Sequence, residues 1–301
     1  MSHQRWLAIS GNAVVEEGKV TLAPSPALQA IPGAPIGPPY ALLRSNLEFE
    51  QGTVEFQAYL PTPDSVCHII LGSRPQPEVW AGLNISGAPY GFAVYKGGTT
   101  WEPLVQSGLG SALQGDHTYD LKIQAEGSSL DLYVNHIKVA NTIQSFSRAQ
   151  LGLYLQSTGL ASVSSIKVKA QKPVCFVVMQ FTEEYDTLYS EVIRPTCEEF
   201  NYNVIRADDF YASGLIINDI TQSIRESTLV IADVTPNNAN VFYEVGYAHG
   251  IGKTTILLSD RKRDKLPFDI AGFRHLFYDN TIGGKRAVEE RLRRHLEALG
   301  A

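Results

Sequence analysis

Leu229–Val–Ile–Ala–Asp233–Val–Thr–Pro–Asn237–Asn–Ala–Asn240–Val–Phe–Tyr–Glu244–Val–Gly–Tyr–Ala–His249–Gly–Ile–Gly–Lys253 runs directly into Thr254–Thr–Ile–Leu–Leu258. The apolar run 229–232 reads as a strand buried on both faces. The Thr, Pro and Asn residues after it make a polar loop. A short helix then opens on an asparagine cap, and a second buried strand begins at Thr254. Strand, helix and strand in this order predict a parallel pair with a crossover helix. Asp233 falls at the end of the first strand and Glu244 in the second turn of the helix. In an open α/β sheet that edge is where ligands bind.

The same grammar extends in both directions. Val174–Cys–Phe–Val–Val–Met179 is another continuous apolar run. Residues 183–200 follow with Tyr185, Leu188, Tyr189, Val192 and Ile193 on one helical stripe, and Pro195 is placed to kink or restart that helix. Tyr202–Arg206 reads as a second strand and Ile216–Ile224 as a second helix. A short strand near Leu276–Tyr278 and a terminal helix from about Lys285 to Leu299 close the chain. Residues 171–301 are therefore expected to form a doubly wound, flavodoxin-like parallel sheet.

Residues 1–170 follow another period. Thr53–Leu60, Tyr119–Gln124 and Leu130–Asn135 alternate polar and apolar residues, as half-buried strands do. Further short apolar runs at His68–Leu71, Gly91–Tyr95, Gly152–Leu155 and Val163–Val168 are punctuated by turn residues. Many short strands without a helical stripe predict an all-β antiparallel jelly-roll sandwich. Glu48, Glu50 and Glu55 are spaced as solvent-facing strand residues, with no close carboxylate cluster for glycoside hydrolysis. Trp80, Tyr90, Tyr95 and Trp101 are read as core and rim aromatics, with stacking on a flat ligand as the alternative.

The 301-residue chain is long enough for two cores. Its formal charge of −6 argues against a nucleic-acid-binding surface, and the run Arg261–Lys262–Arg263 reads as a solvated loop after a strand. Cys67, Cys175 and Cys197 are odd in number and lack ligand spacing, so no metal site and no disulfide framework are expected. No signal-peptide core or membrane-length apolar stretch occurs. A cytoplasmic protein with no membrane partner is the expectation.

The strand ends predict one crevice lined by Met179, Gln180 and Phe181 after the first strand, Asp208 after the second, and Asp233 and Thr235 after the third. Asn237, Asn240, Glu244 and Tyr247 complete it from the loop and helix. On the helix, Val241 and Val245 share one face and Asn240, Glu244 and Tyr247 or Ala248 another. Breaking a C1′–N bond builds positive charge on a ribose, and a carboxylate beside C1′ stabilises or attacks that centre. Asp208 and Asp233 are placed to hold hydroxyls or protonate a leaving base, and backbone N–H groups near Asn240 to receive a phosphate. The plainer reading stands beside this one. An acidic residue near a helix start suits the dipole, and an Asp ending a strand often caps a turn.

The full string Asp–x–Thr–x–Asn–x–x–Asn–Val–x–Tyr–Glu–x–Gly–x–Ala–His–x–x–Gly–Lys resembles the bacterial branch of the TIR-like and nucleoside 2-deoxyribosyltransferase-like superfamily. Phe176–Val–Val–Met179–Gln180–Phe181 matches an "F-V-x-M-P-F" opening, with Gln180 at the usual proline. Arg206–Ala–Asp208 matches "R-x-D", and Leu266–Pro–Phe268–Asp269–Ile270 with Arg274 matches "P-F-D-I…R". The resemblance covers roughly residues 173–280. It implies cleavage of NAD+ with nicotinamide release, Glu244 as catalytic residue and Asp233 as a ribose or base contact. NAD is then a substrate and no cofactor is needed. Within that branch, deoxyribosyl transfer, nucleoside hydrolysis and non-catalytic nucleotide sensing remain open. In the N-terminal half, Asp131–Leu–Tyr133–Val–Asn135–His136–Ile–Lys–Val139 resembles the "D-x-Y-V-N-G-x-x-V" hairpin of concanavalin A-like jelly rolls, and Gly52–Thr–Val–Glu–Phe56 their "G-x-x-E-F" strand. That group includes lectins, glycosidases and interaction modules. A sensor or oligomerisation role for the sandwich is the expectation, with an activating ligand or protein and a homo-oligomeric effector of antiphage defence implied.

Overall fold

A computed structural model describes residues 4–23, 38–97, 100–207, 216–263 and 266–299. The chain divides into two compact units, with the boundary between Gln171 and Lys172.

In the first unit the strands are β1 (Trp6–Gly11), β2 (Ala13–Glu16), β3 (Lys19–Leu22), β4 (Tyr40–Phe49), β5 (Gly52–Leu60), β6 (Val66–Leu71) and β7 (Glu78–Ile85). They continue as β8 (Ala88–Gly97), β9 (Thr100–Ser107), β10 (His117–Glu126), β11 (Ser129–Val134), β12 (Ile137–Ile143), β13 (Ala149–Gln156) and β14 (Ser162–Ala170). Two seven-stranded sheets result, ordered β1-β4-β13-β6-β7-β8-β9 and β12-β11-β10-β5-β14-β3-β2. Neighbouring strands pair antiparallel, as β5 does with β10 and β14 and β6 with β13 and β7, and one apolar core fills the space between the sheets. The alternation along β5 explains the layering: Val54, Phe56, Ala58 and Leu60 are buried while Thr53, Glu55, Gln57 and Tyr59 are not. Gly52 has φ +119°, and a Cβ there would lie 2.0 Å from the Lys169 carbonyl oxygen, so only glycine fits. The β11–β12 turn puts Asn135 at φ 48° and His136 at φ 66°. This left-handed pair is what a two-residue hairpin turn requires, and His136 adopts it where glycine would do so freely.

The second unit holds a five-stranded parallel sheet of β15 (Val174–Val178), β16 (Asn203–Arg206), β17 (Leu229–Asp233), β18 (Thr255–Asp260) and β19 (His275–Tyr278), in the order β16-β15-β17-β18-β19. Around it run α1 (Glu183–Leu188), a π-helical turn (Tyr189–Ile193), α2 (Arg194–Glu199), α3 (Ile216–Glu226), α4 (Ala239–Gly250), α5 (Phe268–Ala271) and α6 (Ile282–Leu299). The strands alternate between two cores. Cys175, Val177, Leu229, Ile231, Ile256 and Leu258 pack with the residues of α6 and the π turn. Phe176, Val178, Val230, Ala232 and Leu257 pack with those of α3 and α4. Helices thus cover both faces. The stretch 183–200 is three segments, not one helix. Pro195 sits in the first turn of α2, where its missing N–H costs nothing, and the π turn before it absorbs the break. Among the described residues no helix is long and apolar enough to cross a membrane.

Candidate functional site

Asp233 ends β17 and is fully buried. Strand alternation that sends Leu229 and Ile231 to the α6 face carries Asp233 to that face as well. One carboxylate oxygen accepts from the Thr235 N–H at 2.8 Å and the other from the Tyr278 hydroxyl at 2.6 Å. Parallel register explains the meeting: Asp233 lies opposite Leu258, and Asp260 opposite Tyr278. Thr235 Oγ1 lies 3.0 Å from the Tyr278 hydroxyl and accepts from the Asp260 N–H at 2.9 Å. Burial pushes the Asp233 carboxyl up, the Thr235 and Tyr278 hydrogen bonds oppose this, and Asp260 adds to it. Burial and the neighbouring Asp233 push the Tyr278 phenol up. The group forms a polar brace across three strand ends.

Glu244 stands on the other side of the sheet. Its helix packs Val241, Val245 and Ala248 into the α3–α4 core, each valine contributing roughly 1.5–3 kcal/mol by burial. Asn238 is the residue that caps α4, its side chain accepting from the Asn240 N–H at 2.9 Å; Asn240 itself is exposed in the first turn. Glu244 is only 8% exposed, and among the described residues no hydrogen bond or ion pair engages its carboxyl. Burial pushes that carboxyl up to about 7. A desolvated acid with no partner is an unfavourable element of a fold, and such groups gather at functional sites.

The remaining lining residues divide between these two regions. Asn238 Nδ2 donates to Gln180 Oε1 at 3.4 Å, joining the loop after β15 to the cap of α4. Met179 is buried in the α6-side core, away from Glu244. Phe181 is exposed, with the Arg206 guanidinium 5.3 Å from its ring centre. Tyr247 packs half-buried on the α3–α4 core. Asn237 is exposed and accepts from Arg263 Nη2 at 2.8 Å. Asp208 lies outside the described residues. Lys253, which ends the opening motif, sits at the opposite edge of the sheet. Its Nζ donates to the carbonyls of Arg225 (3.0 Å) and Ser227, tying down the end of α3, and burial lowers it to about 7. Sequence pattern does not single out Tyr278, Asp260 and Arg263 as site residues; Asp260 and Tyr278 are the last residues of β18 and β19, and Arg263 lies in the loop after β18.

In the sandwich, Trp80, Tyr95 and Trp101 gather on the face of their sheet turned away from the inter-sheet core, with Trp80 and Trp101 rings 4.7 Å apart at 86°. Tyr90 instead packs against the inter-sheet core. His68 joins the aromatic group beside Trp80 and Tyr154, and burial pushes it down to about 4. Glu48 pairs with Arg148 at 2.9 Å, whereas Glu55 lies on the other sheet, opposite Lys122 and Lys167 of its two neighbouring strands. Among the described residues no cluster of three His, Cys, Asp or Glu suited to a metal ion occurs.

No protein-family model matches the chain, and no curated protein matches it. Among solved structures it is similar to a carbohydrate-binding module from Bacillus subtilis, at 13% identity over 54% of this chain and 92% of that one, with a TM-score of 0.40. A Bacillus licheniformis beta-glucanase gives 12% identity over 55% and 91%, with a TM-score of 0.39. A Crh5 transglycosylase gives 14% over 56% and 80%, with a TM-score of 0.33. Likeness this low says nothing about activity, and the architecture of both units stands on the strand pairing and packing described above.

Proposed function

We propose that the second unit is a TIR-like domain that cleaves the N-glycosidic bond of NAD+, releasing nicotinamide, with Glu244 as its catalytic carboxylate. One observation carries the proposal: a buried carboxyl that no other described residue engages, on the second turn of a helix that follows a strand end. The nicotinamide ring of NAD+ is already cationic. When C1′–N breaks, the bonding pair goes to the ring nitrogen, nicotinamide leaves neutral, and positive charge passes to the ribose. A carboxylate in a poorly solvated site stabilises that charge strongly, or closes on C1′ until water replaces it. No proton has to be delivered to the leaving group. The cationic substrate itself favours the ionised form of Glu244.

The sandwich, in this proposal, is a concanavalin A-like sensor or oligomerisation module of a regulated antiphage effector. The motif resemblance and the attachment of a second unit support that role.

A second reading rests on the same carboxyl. An acid pushed up to about 7 is partly protonated at neutral pH and suits protonation of a departing nucleobase, as a nucleoside hydrolase or deoxyribosyltransferase needs. Incubating the pure protein with NAD+ and with deoxynucleosides across pH 5–9 separates the two. For NAD+ cleavage, kcat/KM rises as pH passes through about 7, because the carboxylate is the working form. For nucleoside cleavage with Glu244 as acid it falls over the same range. Glu244→Gln with undiminished turnover would refute both readings.

A further inference from the structure

The order of the parallel sheet fixes where a crevice opens. β15 and β17 lie side by side, with β16 beyond β15 and β18 beyond β17. From β15 the chain leaves through the π turn and α2, whose residues pack with those of α6. From β17 it leaves through α4, which packs with α3 on the opposite face. The two connections part at neighbouring strand ends, and such a switch point is where open α/β sheets take ligands.

Two carboxamides face each other there. Val178, the last residue of β15, pairs with Ala232 of β17. Beyond it successive side chains diverge. Phe181 turns toward β16, where the Arg206 guanidinium stands 5.3 Å from its ring centre. Gln180 turns toward the loop after β17, where Asn238 Nδ2 donates to its Oε1 at 3.4 Å. That bond is longer than is usual for N–H···O, so exchanging it for a bond to a ligand costs little. Asn238 is also held at its other end, its Oδ1 accepting from the Asn240 N–H at 2.9 Å. Gln180 is not. It is half-buried, and its NH2 group donates to no described residue.

A primary amide carries an acceptor and a donor side by side. Both are satisfied at once by a ligand edge that offers the complementary pair, as another primary carboxamide does. A carboxylate sets a second acceptor against Oε1, and a ketone brings no donor. Gln180 also stands where the resembling sequences carry proline, whose side chain has neither group.

We propose that Gln180 determines specificity by reading a carboxamide, which for NAD+ is that of the nicotinamide ring. The ligand amide replaces the bond from Asn238: its oxygen accepts from Gln180 Nε2 and its NH2 group donates to Gln180 Oε1. Asn238 stays in place through its bond to Asn240. The inference rests on NAD+ as the substrate, and it does not rest on Glu244 as the catalytic group.

Calorimetric titration of the 301-residue chain carrying Glu244→Gln tests this with three dinucleotides. They are NAD+, its analogue with an acetyl group in place of the carboxamide, and its analogue with a carboxylate there. NAD+ should bind about tenfold or more tightly than either analogue. Adding Gln180→Met, which keeps the side-chain length and loses both polar groups, should bring NAD+ down to the level of the acetyl analogue. The acetyl analogue itself should change little, which also shows that the fold is intact. Equal affinity for all three ligands overturns the proposal while leaving NAD+ binding in place. Gln180→Met weakening all three alike overturns it too, because Gln180 then reads the ADP half that they share, where an adenine edge also offers a donor and an acceptor. No NAD+ binding at millimolar concentration refutes both this proposal and the NAD+ reading. Selectivity that depends on Gln180, without nicotinamide release by the wild-type chain, upholds Gln180 and refutes the cleavage.

Discussion

Replacing Glu244 by Gln should make the protein more stable, and only above a particular pH. The carboxyl has its folded-state pKa raised from 4.5 to about 7 by burial. Between those values the folded state keeps a proton that the unfolded chain has released, so stability from this group is full at low pH and is lost as pH rises through about 7. At about 1.4 kcal/mol per tenfold change in proton affinity, the ionised form costs the folded state about 3 kcal/mol at most. Residual contact with water reduces this to about 2 kcal/mol. Glutamine keeps the shape and carries no charge to desolvate. Urea unfolding of both proteins at pH 5 and pH 8 measures the difference, because every other titration is common to the two and cancels. The expected result is near-equal stability at pH 5 and an advantage of about 2 kcal/mol for Glu244→Gln at pH 8. Equal stability at both pH values, or a more stable wild type at pH 8, would show that the carboxylate is satisfied within the fold and would refute the reasoning.

Further outcomes follow from the same geometry. Asn238→Ala removes the side-chain acceptor of the α4 cap and should cost about 1 kcal/mol in urea unfolding. Cys67, Cys175 and Cys197 are buried free thiols and should react with a thiol reagent only in denaturant; fast labelling of the native protein would contradict the packing of both units. The 301-residue chain should turn over no β-glucan, since Glu48 and Glu55 sit on different sheets, and any turnover would overturn that expectation. Asp233→Asn and Tyr278→Phe should each destabilise by about 1–3 kcal/mol, and the double variant by less than their sum.

Local pattern reaches some of these features and not others. The run 229–232 is apolar at every position because both faces of β17 are covered, and that is readable without a structure. So is the placement of Asp233 at the strand end and of Glu244 in the second helical turn. Which side of the sheet each side chain serves is not readable from one strand. It needs the alternation of β17 together with knowledge that α4 covers the Val230 and Ala232 face. Asn237, Asn238 and Asn240 all suit a helix cap by chemistry, and only the backbone distinguishes Asn238. The partner of Asp233 lies 45 residues away in sequence and is brought in by the register of β18 with β19, which no local motif encodes. Pro195 signalled a break, but a π turn as its remedy depends on packing against α6.

Asp233 tests how far position at a strand end implies contact with substrate. Both of its oxygens are occupied, by an N–H and a phenol of its own chain, and it is fully buried on the α6 face. A residue so held acts on chemistry by fixing the loop Val234–Asn238, and through the cap of that loop the start of α4. Removing the phenol hydroxyl takes one donor from the brace and leaves the carboxylate itself in place. If Asp233 is a positioning residue, Tyr278→Phe and Asp233→Asn should lower kcat/KM for NAD+ by similar factors and shift stability in parallel. If instead Asp233 turns to the substrate when the site fills, Asp233→Asn should raise KM well beyond the effect of Tyr278→Phe, by about tenfold or more for a lost charge-assisted hydrogen bond. Equal losses in the two variants are the expected result, because the carboxylate is fully buried on the α6 face and both of its oxygens are already held by its own chain.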